Sequence, residues 1–295
     1  MKKLPILLLF SLLLGLFSGC AAQSPAQIAA TTAPVWEFTT RLCQGTPLTV
    51  SRLITESVSC LHDYSLSVGQ MKMVEQAELV IISGADLEEF MEDILSGKTA
   101  VDSSAGISLL EMGSEHHHEE EETHHGHDHH EHDPHIWLSP ENAAVMAENI
   151  CAGLTEQYPQ YKETFAENLT ALQQDLQALQ SYGEFALSEL SCRDLITFHD
   201  GFGYLADTFG LHIIRAIEEE SGSEASAREL IELIEEVEHH QLPAIFTEVN
   251  GSPAAASVIC AETGIQSFPL DMAMAGDSYF DAMYRNIDTL KEALE

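Results

Sequence analysis

Between Glu115 and Asp133 the chain reads EHHHEEEETHHGHDHHEHD: nine histidines and eight acids, with no Lys, Arg or apolar residue among them. Nothing in such a tract can anchor it to a core, so it is expected to be a mobile, solvated loop. Neutral imidazole is the commonest metal ligand, and with carboxylate it suits zinc and its first-row neighbours. Weak, auxiliary metal binding is therefore assigned to His116, His117, His118, His124, His125, His127, His129, His130 and His132. A solvated charge run is the plain alternative; an expression tag would be neither internal nor interspersed with acids. The character then changes. Asp133-Pro134-His135-Ile136-Trp137-Leu138 is a compact apolar segment carrying one imidazole, and Ser139-Pro140 follows as an N-cap and a Pro suited to the first helical position. One histidine is thus held at the edge of a packed element, beside nine that are not.

The elements that must position such residues alternate along the chain. Strands are expected at Gln27–Thr32, Leu48–Ile54, Leu79–Ile82 and Thr99–Ser103, with helices at Pro34–Leu42, Ser67–Ala77, Ala85–Leu95 and Pro140–Tyr158. Leu79–Ile82 is a continuous apolar run, as in a strand buried on both faces. From Tyr161 the spacing of Phe165, Leu169, Leu172, Leu176, Leu179 and Tyr182 is helical, and a helix continued to Leu190 would be about 40 Å long. That is too long for a crossover and suits a connection between two domains. Alternation then resumes, with strands at Leu195–Phe198, Leu211–Ile217, Ala244–Thr247 and Gln266–Leu270. The intervening helices run through Tyr204 and Phe209, from a capping box at Ser226–Glu229 to His239, over Pro253–Thr263 and over Tyr279–Leu294. The fold class is therefore α/β, two lobes with mostly parallel sheets joined by a long helix. The divisions are a lobe over 20–160 carrying the His-rich loop 115–132, a linking helix over 161–190 and a second lobe over 191–295.

Open parallel sheets bind ligands beyond the carboxyl ends of their strands. His62 follows the second strand within Cys60-Leu61-His62-Asp63, His135 stands in the same lobe, His199-Asp200-Gly201 follows the fifth strand, and Asp271 follows the last. Four such nitrogen and oxygen ligands around one ion make a closed tetrahedral zinc site. Taken singly each is weak: a lone buried His is more often a satisfied core residue, and Asp271 could simply cap a turn. Glu218-Glu219-Glu220 also follows a strand, as a solvated loop or a border of the cleft. Glu248 follows another, either as an outer partner of a ligand imidazole or as a helix cap.

Met1-Lys2-Lys3 is a basic leader before an apolar run, Leu4–Phe17, too short for a membrane span and ending in Ser18-Gly19-Cys20. This resembles a lipoprotein signal over residues 1–19, cleaved before an acylated Cys20, which implies an extracytoplasmic protein lipid-anchored to the outer face of a bacterial cell membrane. Cleavage removes Lys2 and Lys3 and no acid, taking the formal charge from −36 to −38. So acidic a chain will not bind nucleic acid through charge, but it concentrates cations. At about 275 residues the mature chain can bury a large core. Cys43, Cys60, Cys151, Cys192 and Cys260 remain; an odd number leaves at least one unpaired in a monomer, and Cys43–Cys60 is the expected pair. No C-x-x-C occurs, which argues against a thiolate zinc site.

The segments around His62, Asp133–Pro140, Ile196-Thr197-Phe198-His199-Asp200-Gly201-Phe202-Gly203-Tyr204 and Leu270-Asp271, with Tyr279 and Asn286 beyond, carry a resemblance over the whole mature chain. It resembles the metal-specific substrate-binding lipoproteins of zinc and manganese ABC importers. The resemblance implies two α/β lobes on a rigid long helix, one metal ion in the cleft between them, and His62, His135, His199 and Asp271 as ligands. Manganese receptors of the family usually carry a carboxylate where this chain has His199, so the third imidazole and the His-rich loop favour Zn2+ as the transported ligand, with manganese the alternative. The first histidine usually follows a proline-containing loop; its different setting here leaves Cys60 and Asp63 as alternatives. The implied protein is a monomeric receptor for an ABC transporter permease and not an enzyme. A zinc hydrolase would keep an open coordination position, and neither H-E-x-x-H nor G-x-S-x-G occurs. A zinc-storage or adhesion lipoprotein is the other rival; it would bind many ions alike, where a receptor binds one tightly.

Overall fold

The structure, a computed structural model, describes residues 26–56, 61, 64–111, 132–218, 225–276 and 278–295. The leader with Cys20, the segment with Cys60, His62 and Asp63, the eight tract histidines from His116 to His130, and Glu219 and Glu220 lie outside the described residues.

Two four-stranded, all-parallel sheets form, one in each half of the chain. The first comprises β1 (Ile28–Ala30), β2 (Val50–Arg52), β3 (Leu79–Ile82) and β4 (Ala100–Asp102), in the order β2-β1-β3-β4. The second comprises β5 (Asp194–His199), β6 (His212–Glu218), β7 (Ala244–Glu248) and β8 (Gln266–Leu270), in the order β6-β5-β7-β8. The two orders are equivalent, and each reverses direction once, at β1/β3 and at β5/β7. Crevices outside the carboxyl ends of such switch points are where open α/β sheets take ligands.

Helices α1 (Ala33–Leu42), α2 (Val68–Gln76), α3 (Glu92–Leu95) and α4 (Pro140–Gln157) belong to the first half. Ser67 caps α2 reciprocally with Gln70, and the Ser139 hydroxyl accepts from Asn142 at the start of α4. The expected helix over Ala85–Leu95 is mostly absent. Gly84, Ala85 and Asp86 all take positive φ, and α3 forms only from Glu92 after a 3-10 turn at Glu89–Met91. The cause is Glu88. Its buried carboxylate turns back to accept from the amides of Ser83 and Gly84 and from the Thr31 hydroxyl at the end of β1. Burial pushes this carboxyl up to about 7 against the pull of those three donors.

The long helix α5 (Lys162–Ala186) is 25 residues and buries Phe165, Leu172, Leu176 and Leu179 along one stripe. It is tied to the first half by Asn168, which donates to Leu42 O and Gln44 O at 2.8 Å, and by an Arg41–Asp175 ion pair. The last helix, α9 (Tyr279–Leu294), meets it through Tyr182, which bonds Asp288 and sets its ring against Tyr284. Gly183 is required where α6 (Gly203–Phe209) crosses α5, since a Cβ there would stand 2.3 Å from the Phe209 ring. Helices α7 (Ala227–His240), which opens on the expected Ser226–Glu229 capping box, and α8 (Ala254–Thr263) complete the second half.

One continuous apolar core runs from Ile28 and Val80 through Trp137 and Leu176 to Phe246, Tyr279 and Leu290, so the two halves are packed together rather than merely tethered. Polar bonds cross the same boundary. Trp137 Nε1 donates to Met272 O at 2.8 Å, the Tyr279 hydroxyl donates to Trp137 O at 2.8 Å, and Ala33 N donates to Met274 O at 3.1 Å. Cys43, expected to pair with Cys60, ends α1 as a free thiol turned into the core, and burial pushes it up to about 12. Among the described residues no helix is long and apolar enough to cross a membrane.

Candidate metal centre

His199 is the last residue of β5, at the switch point of the second sheet, and its ring is buried. His135 comes from the other half, and from no strand: it stands just before the 3-10 turn Ile136–Leu138 that leads into α4. Trp137, wholly buried in that turn, fixes it. The two imidazoles meet edge to face with centroids 5.2 Å apart. The fold therefore brings together two of the four ligands expected from the sequence, one from each half.

The chemistry of His135 is set by Asp133. Asp133 Oδ1 accepts from His135 N at 2.9 Å and pairs with His135 Nδ1 at 2.7 Å. A carboxylate only accepts, so the ring proton sits on Nδ1 and Nε2 carries the lone pair. Nε2 is buried and has no hydrogen-bond partner among the described residues. A buried nitrogen with its lone pair unused is costly, unless a ligand takes it. Metal-ligating histidines are held in this way, with the far nitrogen donating to an outer carboxylate that fixes the tautomer. His199 Nε2 is buried as well.

Gly201 makes the approach of the two rings feasible. A Cβ there would lie 2.7 Å from His199 Cδ2 and 2.8 Å from both His135 Cε1 and Nδ1. Gly203, two residues on, has Asp133 Oδ2 at 2.9 Å from its would-be Cβ. Asp133, Gly201 and Gly203 lie in the two motif segments without being expected ligands. A glycine two residues past a strand-end histidine is the sequence signal for such a contact, since glycine marks close approach.

Asp271 follows β8 at the same end of the sheet, one strand beyond β7. Its backbone is held by Asn286 in both directions, and its carboxylate accepts from Ala273 N at 2.9 Å and from Arg285 at 3.2 Å. Among the described residues no three His, Cys, Asp or Glu side chains converge closely enough to hold an ion. His62 lies outside the described residues, so the described centre is the His135–His199 pair. His132 bridges Glu111 in antiparallel fashion, and its Nδ1 is buried without a partner among the described residues. Glu218 ends β6 in register with His199, and Glu248 is a buried residue ending β7. α8 begins at Ala254 with Pro253 at its N-cap, and Ala254 N donates to the Ser252 hydroxyl at 3.4 Å.

A family model described as zinc-uptake complex component A, periplasmic, matches residues 28–293. The zinc-binding lipoprotein AdcA of Streptococcus pneumoniae serotype 4 is 31% identical over 313 residues, covering 100% of this chain and 62% of that protein. The chain thus spans less than two thirds of that relative's length. Among solved structures, a crystal structure of ZnuA superposes with a TM-score of 0.77 at 26% identity, covering 91% of this chain and 99% of that one. Zn(II)-bound AdcA from Streptococcus pneumoniae superposes with a TM-score of 0.75 at 28% identity, covering 91% of this chain and 57% of that one.

Proposed function

The chain belongs to the zinc-uptake complex component A family, and from that premise we propose that it is an extracytoplasmic receptor that captures Zn2+ and hands it to an ABC import permease. The observation that carries this is the buried His135–His199 pair, with Asp133 committing His135 Nε2 to act as an acceptor. The relatives' names point the same way, being those of zinc-binding proteins. Zn2+ is the cargo, and nothing is transformed. His62, His135, His199 and Asp271 complete the tetrahedral shell, with neutral imidazoles and one carboxylate replacing the ion's waters. Asp271 joins by exchanging its bond to the exposed Arg285 for the cation. The shell, richer in nitrogen than in oxygen, favours zinc over manganese. The chain acts as a monomer on a lipid anchor at Cys20, on the outer face of a bacterial cell membrane.

Affinity at this pair comes from preorganisation: both imidazoles are set in a packed core before the ion arrives, whereas capture by the His-rich tract would require ordering its own backbone at roughly 1–2 kcal/mol per residue. The test is calorimetric stoichiometry on a chain in which residues 112–131 are replaced by a short Gly-Ser turn between Glu111 and His132, which already face each other. One tight zinc should remain while the weaker equivalents disappear. Loss of the tight equivalent would put the site in the tract, as a storage protein requires.

A further inference from the structure

We propose that Tyr204 is a positioning residue for zinc capture, its hydroxyl inserted between the two backbones at the neck of the His-rich tract so that Asp133 and His135 are held against His199. The proposal rests on the receptor reading above and extends it to a residue that touches neither the ion nor its ligands.

The neck begins at Leu110 and closes at Asp133. Asp133 N donates to Leu110 O at 2.8 Å, as in a two-stranded antiparallel pair. In such a pair the reciprocal bond would run from Leu110 N to Asp133 O. Here a phenol stands in its place: Leu110 N donates to Tyr204 Oη at 2.9 Å, and the hydroxyl donates to Asp133 O at 3.1 Å. Tyr204 is buried, and burial pushes its phenol up to about 12, so the proton it donates is always present. Tyr204 belongs to α6, which begins four residues after His199. The start of the same helix packs on the Asp133 carboxylate, where Gly203 leaves no room for a Cβ. A connected path therefore runs from the Tyr204 hydroxyl to the Asp133 peptide, to Asp133 Oδ1, to His135 Nδ1 and so to Nε2. The helix that carries Tyr204 is the continuation of the strand that carries His199. One hydroxyl thus registers the two imidazoles of opposite halves and closes the neck from which a chain of twenty further residues, 112–131, departs.

The experiment compares the mature chain with Tyr204→Phe and Gly203→Ala, reading zinc affinity by competition with a chromophoric chelator and stability by thermal melting. Outer partners of metal ligands are worth 10–100-fold in affinity, and a group acting through one of them should cost about tenfold. Tyr204→Phe should therefore weaken the tight site about tenfold with one equivalent retained. Gly203→Ala, which pushes Asp133 Oδ2 without touching the hydroxyl, should weaken it in the same direction and tests the Asp133 step of the path alone; Tyr204→Met, which also lacks the hydroxyl, decides the matter if the Phe variant does not fold. In an Asp133→Ala background, Tyr204→Phe should cost no more than about twofold, because the hydroxyl acts through that carboxylate. A Phe variant that melts earlier but keeps wild-type affinity makes Tyr204 merely structural and overturns the proposal, as does a full tenfold loss in the Asp133→Ala background. A wild-type chain lacking any tight equivalent overturns the receptor reading itself, and this inference with it.

Discussion

Gly201→Ala puts a single methyl group between the two imidazoles. Its position would be 2.7 Å from His199 Cδ2 and 2.8 Å from His135 Cε1 and Nδ1, where ordinary contact begins at 3.4 Å. Restoring that contact requires the rings to withdraw by about 0.6–0.7 Å, several times the roughly 0.2 Å tolerance of metal–ligand distances. Neither ring can yield freely, because His135 is locked to Asp133 and His199 ends a buried central strand. Overpacking of this kind costs about 1–3 kcal/mol of stability. The larger effect should fall on the ion: a loss of at least about a hundredfold in zinc affinity, since disturbing outer partners alone costs 10–100-fold. Gly69→Ala is the control. Gly69 lies exposed in α2 with its nearest would-be contact at 3.7 Å, so alanine there should stabilise the helix by about 0.5–1 kcal/mol and leave zinc binding unchanged. Competition titration and thermal melting on both variants read the two effects separately. Wild-type zinc affinity in Gly201→Ala would refute the placement of the ion between these rings.

Three further outcomes are expected. His199→Ala should reduce zinc affinity by at least about a hundredfold, whereas His212→Ala, whose side chain is 70% exposed at the start of β6, should not alter it in the same titration. Zinc affinity should fall steeply as the solution is acidified from neutral, because protons compete for each ligand nitrogen; calorimetry between mildly acidic and neutral pH checks this. Stability should show a separate pH dependence from Glu88. Its folded value, about 7, exceeds the ordinary 4.5, so the fold binds the extra proton, and the resulting stabilisation is complete below 4.5 and lost as pH rises to 7. The swing is roughly 3 kcal/mol at 1.36 kcal/mol per unit. Glu88→Gln should flatten that part of a denaturation-versus-pH curve, and an unchanged slope would show that Glu88 does not titrate there.

Where local pattern and tertiary packing agree, the elements were legible from residues alone. The continuous apolar run at Leu79–Ile82, the Ser226 capping box and the strand Gln266–Leu270 appear within the bounds expected. The structure departs from the local pattern where a side chain's bonding or packing overrides it. Ala85 and Asp86 look helical, but Glu88 reaches back to cap β3 and forces both into left-handed backbone. Cys43 looked available for a disulfide, but the end of α1 turns it inward. In the site, His135 and His199 could be named from their motifs. The clearance at Gly201 depends on an approach between residues 64 to 66 positions apart, which no local spacing reports, whereas the control of the His135 tautomer by Asp133, two residues before it, lies within the motif itself.

The most direct test of the zinc site is the position of the ion itself. Crystals of the mature chain grown with one equivalent of zinc, with anomalous data collected on either side of the zinc edge, should show one strong peak about 2.0–2.1 Å from His135 and His199 nitrogens, with His62 and Asp271 completing the shell. A sole peak among the histidines of the tract, with His135 Nε2 still unoccupied, would contradict it.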